Sequence, residues 1–434
     1  MIVFLVSVAT HFMFFGHPNQ TVFDEVHFGK FISGYYTHEY YFDIHPPLGK
    51  LMIAGFAKIF KFSAGGGSAY GGSFAQIGEE FPDNKYLALR FLPSLAGMLL
   101  PIVIFLVALQ LKFKPQGAFI AGLLVAIENA LVVQTHYILM DGFLLLFGFL
   151  ALLFYFRRKF LWMAVFGGLT ISIKWTGLTF LALPFLVEVF YLFKELITKG
   201  TFATKVPFVS FLKLFFYFLI IPLVIYFTVF TLHFALLTKP GSGDAFMSLG
   251  FHNENVVKKF VELNIQMYQS NQRLTATHPY GSPWYSWPFM TRPIFYWVAD
   301  NSRIYLLGNP VIWWSSTIGI LYLVSCILYS KIIKFRTRYQ ILNTEYILLG
   351  GYFLNLLPFI GIKRVMFLYH YLTGLVFAIL ILVYLIEKHK HAKKIFIGLS
   401  IASIAAFIYF APLTYGLPLS PKAYNAHVWL PSWR

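Results

Sequence analysis

An all-α, polytopic membrane protein is the fold class that three features of this 434-residue chain predict. Hydrophobic residues make up 58% of it and charged residues 12%, about half the charged share of an ordinary soluble domain. Mean hydropathy is +0.69. Apolar runs approaching ~20 residues recur along its length, and in lipid a helix satisfies its own backbone polar groups.

In chain order the spans are expected near Ile2–Phe15, Leu87–Leu111, Ala118–Val133, Leu139–Phe156, Leu161–Ile173 and Gly177–Phe193. Further ones follow near Leu214–Leu237, Pro310–Ser330, Tyr346–Ile362, Phe367–Ile386 and Ile395–Pro412. That makes about eleven by apolar periodicity and length. Several are short for a bilayer, which predicts tilted or broken helices. The first lacks a basic leading region and a small-residue cleavage site, so it reads as a retained helix.

Half of the 34 lysines and arginines fall in five alternate short connections. These hold Lys112 and Lys114; Arg157, Arg158 and Lys159; Lys194, Lys199, Lys205 and Lys213; Lys331, Lys334, Arg336 and Arg338; and Lys388, Lys390, Lys393 and Lys394. The positive-inside rule makes them cytoplasmic, with the amino terminus inside and the 413–434 tail outside. The net charge of +17 is then a topology signal and a contact with anionic lipid, and no nucleic-acid partner is implied. The single Cys326 excludes an intrachain disulfide framework.

A single membrane domain over 1–434 is expected, with two long external segments, 17–86 and 238–303. Each carries an amphipathic stretch suited to an interfacial helix or to packing on protein: Pro47–Phe60, with Lys50 and Lys58 reaching head groups, and Asn253–Arg273, with Asn253 as cap. Gly65–Gly72 reads as a flexible loop.

Ionisable residues concentrate in Phe23–Lys50, where Asp24, Glu25, Glu39 and Asp43 stand with His27, His38 and His45 in a chain of only 17 acids. Adjacent carboxylates do not share a helix face, so Asp24 and Glu25 are expected to divide the work, one reacting and one pairing. A general base and a helix cap on His27–Tyr36 both remain open for them. Arg90, Lys174, Lys363 and Arg364 lie in or at the outer ends of apolar spans, where each requires an anion, either an internal acid or a bound phosphate. Asp141 is the internal candidate for Arg90 or Lys174. The scattered histidines His136, His278 and His370 show no ligand spacing, and no metal site is expected. The aromatic run with Trp284, Tyr285, Trp287 and Arg292 reads equally as an interfacial belt or as a saccharide or peptide platform.

Eight motifs in order resemble the protein O-mannosyltransferases, enzymes of the GT-C membrane fold. They are FDEVHFGKF (23–31), HPPLGKL (45–51), LRFLPSLAG (89–97), HYILMDGFL (136–144), SIKWTGL (172–178), WYSWPFMTRPIFY (284–296), IYLLGNPVIWW (304–314) and KRVMFLYHYLTGL (363–375). The resemblance implies inverting, metal-independent and cofactor-free transfer of mannose from a polyprenyl- or dolichyl-phosphate carrier to Ser/Thr hydroxyls of secreted chains. Asp24 would be the base with Glu25 supporting it, and Arg90, Lys174 and Arg364 the phosphate contacts. The matched His45, Asp141, Tyr369 and His370 would complete the substrate site.

Two departures stand out. The 238–303 segment is too short for the MIR domain of eukaryotic members, which points to a prokaryotic plasma membrane. His136 also departs from the family pattern, so no role passes to it. Membrane lipids and secreted acceptor chains are the implied partners, and the translocation machinery is compatible with them. Another GT-C enzyme acting on lipid or polysaccharide is the competing reading, and a transporter is the third. The lack of inverted repeats argues against the transporter.

Overall fold

The computed structural model describes residues 1–63, 73–199, 211–273, 277–333 and 344–434. The expected Gly65–Gly72 loop and the basic residues Lys205, Lys334, Arg336 and Arg338 lie outside the described residues.

Helices appear where the apolar runs predict them, because a run that long has no other way to satisfy its backbone in lipid. They are α1 (Ile2–Phe12), α4 (Tyr86–Gln110), α5 (Pro115–Ala126), α6 (Asn129–His136), α7 (Asp141–Phe156), α8 (Phe160–Ile171) and α9 (Leu178–Lys199). In the second half they are α10 (Phe211–Leu236), α12 (Pro310–Ile333), α13 (Thr344–Leu354), α14 (Leu372–Glu387) and α15 (Ala392–Tyr415). Outside the spans lie α2 (Glu25–Thr37), α3 (Leu48–Ile59), α11 (Val256–Arg273) and α16 (Pro421–His427). Among the described residues six helices are long and apolar enough to cross a membrane, and the bent pair α5–α6 makes a seventh. This is a multi-pass membrane protein.

The run expected as one span at 118–133 is broken. α5 and α6 meet at 55°, because Glu128 leaves helical geometry and caps α6 through the Leu131 amide at 2.8 Å. Its other oxygen accepts from Asn309 N at 2.7 Å, which ties the break to the start of α12. The core is centred on α14, buried almost throughout from Leu372 to Val383. Gly97 lets α4 approach α6 closely: a Cβ there would stand 2.2 Å from Thr135 Oγ1.

Three expectations are corrected. Lys50 does not reach head groups; it is buried and pairs with Asp43, and α3 packs Leu51, Ile53, Ala54 and Ala57 on protein. The cap of α11 is Asn255, whose side chain accepts from the Val257 and Lys258 amides, and not Asn253. The aromatic run continues into a hairpin, β1 (Ile294–Ala299) with β2 (Ser302–Leu306), that periodicity did not announce. This hairpin stitches distant segments together. Phe23 N donates to Tyr296 O at 3.1 Å on one side, and Leu419 N to Asn301 O at 2.9 Å on the other.

Candidate active site

The two acids at the start of α2 face different surroundings, as adjacent helical positions must. Glu25 points into the protein and is fully buried. It accepts four hydrogen bonds: from Arg90 Nε (2.8 Å) and Nη2 (2.7 Å), and from the amides of Val22 (2.8 Å) and Ile138 (2.9 Å). Arg90 completes its set on the carbonyls of Gly16 (3.0 Å), Pro18 (2.6 Å) and Gln20 (2.7 Å). Gly16 offers its carbonyl at φ +91, a conformation that favours glycine, and a Cβ there would meet Leu87 at 2.4 Å. The guanidinium has five N–H donors and all five are used. Arg90 is therefore not placed to hold a phosphate. It is the buried counter-ion that shapes the loop before Asp24, and Glu25 acts through that loop.

Asp24 is the opposite case. Its backbone begins α2, but its carboxylate caps nothing. Among the described residues the carboxylate has no hydrogen bond and no ion pair. The residue before it, Phe23, holds φ +48, a strained setting for a large side chain. Stacking on Tyr296, centroids 3.9 Å apart, keeps it there. Burial raises the Asp24 carboxyl from its ordinary 3.8 to about 6; the charges of His27 and Lys174 pull it down, while Asp141 and Asp43 push it up. A half-buried, unpartnered carboxylate of that kind is suited to accept a proton.

A cavity of about 210 Å³ is lined by His45, Asp141, Lys174, Arg364, Tyr369 and His370 among others. Asp24 is not part of that lining, but the charges of Lys174 and Asp141 act on it and the Phe23 ring stands 6.4 Å from that of Tyr369. The structure thus gathers six of the expected substrate residues from four separate stretches. Lys174 Nζ sits 2.9 Å from both oxygens of Asp141 and 5.4 Å from the centre of the Tyr369 ring. Asp141 also accepts from Gln134 Nε2 at 2.7 Å, and Gln134 in turn accepts from the Tyr296 hydroxyl. This chain of contacts links the hairpin under Phe23 to the cavity. Sequence reasoning missed Gln134 and Tyr296; a glutamine inside an apolar span was the available signal.

Arg364 has no hydrogen-bond or ion-pair partner among the described residues. Of the four cations expected to need an anion, Arg90 and Lys174 find theirs inside the protein, Lys363 is exposed and outside the cavity lining, and Arg364 faces the cavity open. His45 stands on the loop that Lys50 pins through Asp43 and through the His45 carbonyl (3.0 Å). Burial, and then the nearby charges of Lys174, Arg364 and Lys50, hold its imidazole well below the usual histidine range, so it stays neutral.

The aromatic platform divides. Trp287 is fully buried, donates to Ser282 and stacks on His370 at 5.8 Å, so it offers no face to a ligand. Arg292 donates to the carbonyls of Pro279, Ser432 and Arg434, which makes it a clamp on the tail rather than a sugar contact. Tyr285 is exposed and Trp284 half-buried; these two alone keep a free surface. Among the described residues no three His, Cys, Asp or Glu side chains converge as metal ligands.

Comparison with known proteins agrees with the motifs. Residues 1–238 match the family model of the dolichyl-phosphate-mannose-protein mannosyltransferases. Residues 256–433 match that of the C-terminal four-helix membrane region of protein O-mannosyltransferase. Dolichyl-phosphate-mannose–protein mannosyltransferase 4 of Candida albicans is 32% identical over 304 residues, 64% of this chain and 38% of the relative. Protein O-mannosyltransferase 1 of Drosophila melanogaster is 33% identical over 57% of this chain and 29% of its own length. The chain thus matches well under half the length of these relatives. The Saccharomyces cerevisiae Pmt1–Pmt2 complex, solved bound to the sugar donor, superposes with a TM-score of 0.91 at 19% identity, covering 100% of this chain and 92% of that one. That likeness establishes the fold as GT-C. With more than half of its length matched by one family model and most of the rest by the companion model, the chain belongs to the protein O-mannosyltransferase family.

Proposed function

We propose that the chain transfers mannose from a polyprenyl-phosphate carrier to Ser or Thr hydroxyls of protein substrates. The observation that carries this reading is the division of labour at α2: Glu25 is consumed by Arg90, and Asp24 is left free beside a cavity whose open cation is Arg364. The acceptor hydroxyl oxygen attacks the anomeric carbon as its proton passes to Asp24. The bond from that carbon to the phosphate oxygen breaks, its electron pair stays on the phosphate, and the anomeric centre inverts. Arg364 would meet that charge from the cavity wall, with Lys174 supporting it through the one N–H donor that its pairing with Asp141 leaves over. Fixed cations in a site screened from water stabilise such a charge strongly. Neutral His45 can hydrogen-bond the phosphate or the sugar. No metal or other cofactor is required for these steps.

The yeast relative solved with its sugar donor supports a lipid-linked donor here, as does a related GT-C enzyme, ArnT of Cupriavidus metallidurans, solved with undecaprenyl phosphate. The basic residues fall in alternate connections of the sequence, which supports a cytoplasmic amino terminus and an extracytoplasmic site. The shortness of segment 238–303 supports a prokaryotic plasma membrane. Secreted or membrane chains are the acceptors, met as they leave the translocation machinery.

Incubation of the purified protein with radiolabelled polyprenyl-phosphate mannose and a Ser/Thr-rich peptide tests this reading. Label in the peptide, removed by Asp24→Asn, is the expected result. Label in lipid or glycan alone would overturn the acceptor assignment.

A further inference from the structure

The helix α11 is apolar on two opposite faces. One face packs inward. Leu263 and Met267 are buried, and the Phe260 ring meets Tyr226, Phe227 and Phe230 of α10 at centroid separations of 5.7, 5.1 and 5.3 Å. Asn264 Oδ1 accepts from the Tyr226 hydroxyl at 2.6 Å. The other face carries Val257, Val261, Ile265 and Tyr268, spaced as one helical stripe and 56, 48, 49 and 59% exposed. A continuous apolar stripe of this kind marks a surface that something covers.

Depth decides what covers it. The α10 span has 26 residues, about 39 Å at ~1.5 Å per residue, against a hydrocarbon layer of about 30 Å. Tyr226 lies ten residues before the last residue of that span, Leu236, or about 15 Å along the axis. Even if the whole excess of about 9 Å projects at that end, Tyr226 remains about 6 Å inside the hydrocarbon. The side chains bonded to it on α11 sit at the same level.

Charge on α11 is arranged to suit. Glu262 accepts from Ser248 N (2.6 Å) and Oγ (2.9 Å), Lys259 donates to the His252 carbonyl (2.7 Å), and Lys258 pairs with Glu254 (2.9 Å). Glu262 and Lys259 are thereby held toward the 242–253 segment, while the Lys258–Glu254 pair, the one ion pair of the helix among the described residues, stands along the edge of the stripe. α10 itself exposes Leu223, Val224 and Leu232, as a lipid-facing span does.

We propose that α11 lies in the acyl layer of the bilayer, with Val257, Val261, Ile265 and Tyr268 against lipid chains, and forms the wall between the bilayer and the anion cavity. Tyr268, Asn271 and Gln272 line that cavity from the same helix, so at Tyr268 one side chain borders both lipid and site. The placement stands on packing and depth, and it holds whatever sugar or acceptor the site uses.

Single-cysteine variants Val261→Cys and Ile265→Cys, made in Cys326→Ser full-length protein, would carry nitroxide labels in phosphatidylcholine nanodiscs. Leu223→Cys serves as the lipid-facing reference and Lys422→Cys as the water-facing one. The expected result is high oxygen accessibility and loss of nickel-chelate accessibility at both sites, matching position 223. Nickel accessibility equal to that at position 422 would overturn the proposal, and so would inaccessibility to both reagents, the mark of a protein partner. The unmodified protein gives an independent reading. A phosphatidylcholine with a diazirine in its acyl chain is expected to label residues 257–268, and absence of label there refutes the placement.

Discussion

Exchanging each of the two adjacent acids for its amide tests the assignment most directly, because the structure requires opposite outcomes. In Glu25→Gln, the Arg90 guanidinium keeps three carbonyl partners but loses its counter-ion at 0% exposure. Removing one partner of a buried pair costs about 3–5 kcal/mol. Glutamine also presents one acceptor oxygen where four donors converge, and each buried group left unsatisfied adds about 1–3 kcal/mol. Losses of that size approach the whole stability of a typical domain.

Asp24→Asn removes no hydrogen bond. It also removes a carboxylate that folding makes harder to ionise. The folded carboxyl titrates near 6 against 3.8 in the unfolded chain, so between those values the folded state holds the extra proton and stability falls as pH rises. Above pH 6 the full penalty stands, at most about 3 kcal/mol at ~1.36 kcal/mol per pH unit, and less to the extent that water reaches the half-buried group. Thermal unfolding in detergent at pH 7.5, read by tryptophan fluorescence, should place Glu25→Gln well below the parent and Asp24→Asn at or above it. Transfer to peptide should vanish in Asp24→Asn. Equal destabilisation by the two amides, or full transfer by Asp24→Asn, would refute the division of roles.

Other perturbations follow from the same geometry. Arg364→Ala should leave unfolding unchanged and lower kcat/KM for the lipid donor about 10- to 100-fold, the worth of a charge-assisted hydrogen bond; an unchanged value would show that the open cation does not meet the phosphate. Because Asp24 must be ionised to take the acceptor proton, activity should fall as pH drops through about 6, and a rate that stays flat to well below that pH would exclude it as the base. Activity should persist in excess chelator; strict loss restored by a divalent ion would assign the leaving-group charge to a metal. Lys174→Met should lose both transfer and stability, and adding Asp141→Asn should recover stability alone, since the double variant no longer buries an unpaired acid.

The transmembrane helices were legible because their cause is one-dimensional: a long apolar run determines its own backbone pairing. The break at Glu128 shows the limit of that rule. An acid in an apolar run marks a cost, but the partner that offsets it, Asn309 N, is 181 residues away. The aromatic run shows a second limit. Trp287 and Tyr285 stand two residues apart, both aromatic with one polar tip, yet one is at 0% and the other at 63% exposure. The start of α12, whose Trp313 Nε1 donates to the Trp287 carbonyl at 2.9 Å, and the rings of Phe359 and His370 decide between them.

The site itself was half legible, for a reason that lies in how charges are paired. Composition showed which cations were too costly to stand alone, but not which acid answers which. Arg90 is 65 positions from Glu25 and Lys174 is 33 from Asp141, so each pairing is a product of the fold. A bound anion is recognised by subtraction, by finding the cation that remains after the internal pairs are made. Subtraction demotes Arg90, expected as a phosphate contact, and leaves Lys363, which is exposed, and Arg364, which alone of the two lines the cavity. The same logic acts on the acids: it is because Glu25 answers Arg90 that its neighbour Asp24 has no structural duty and is free to take a proton.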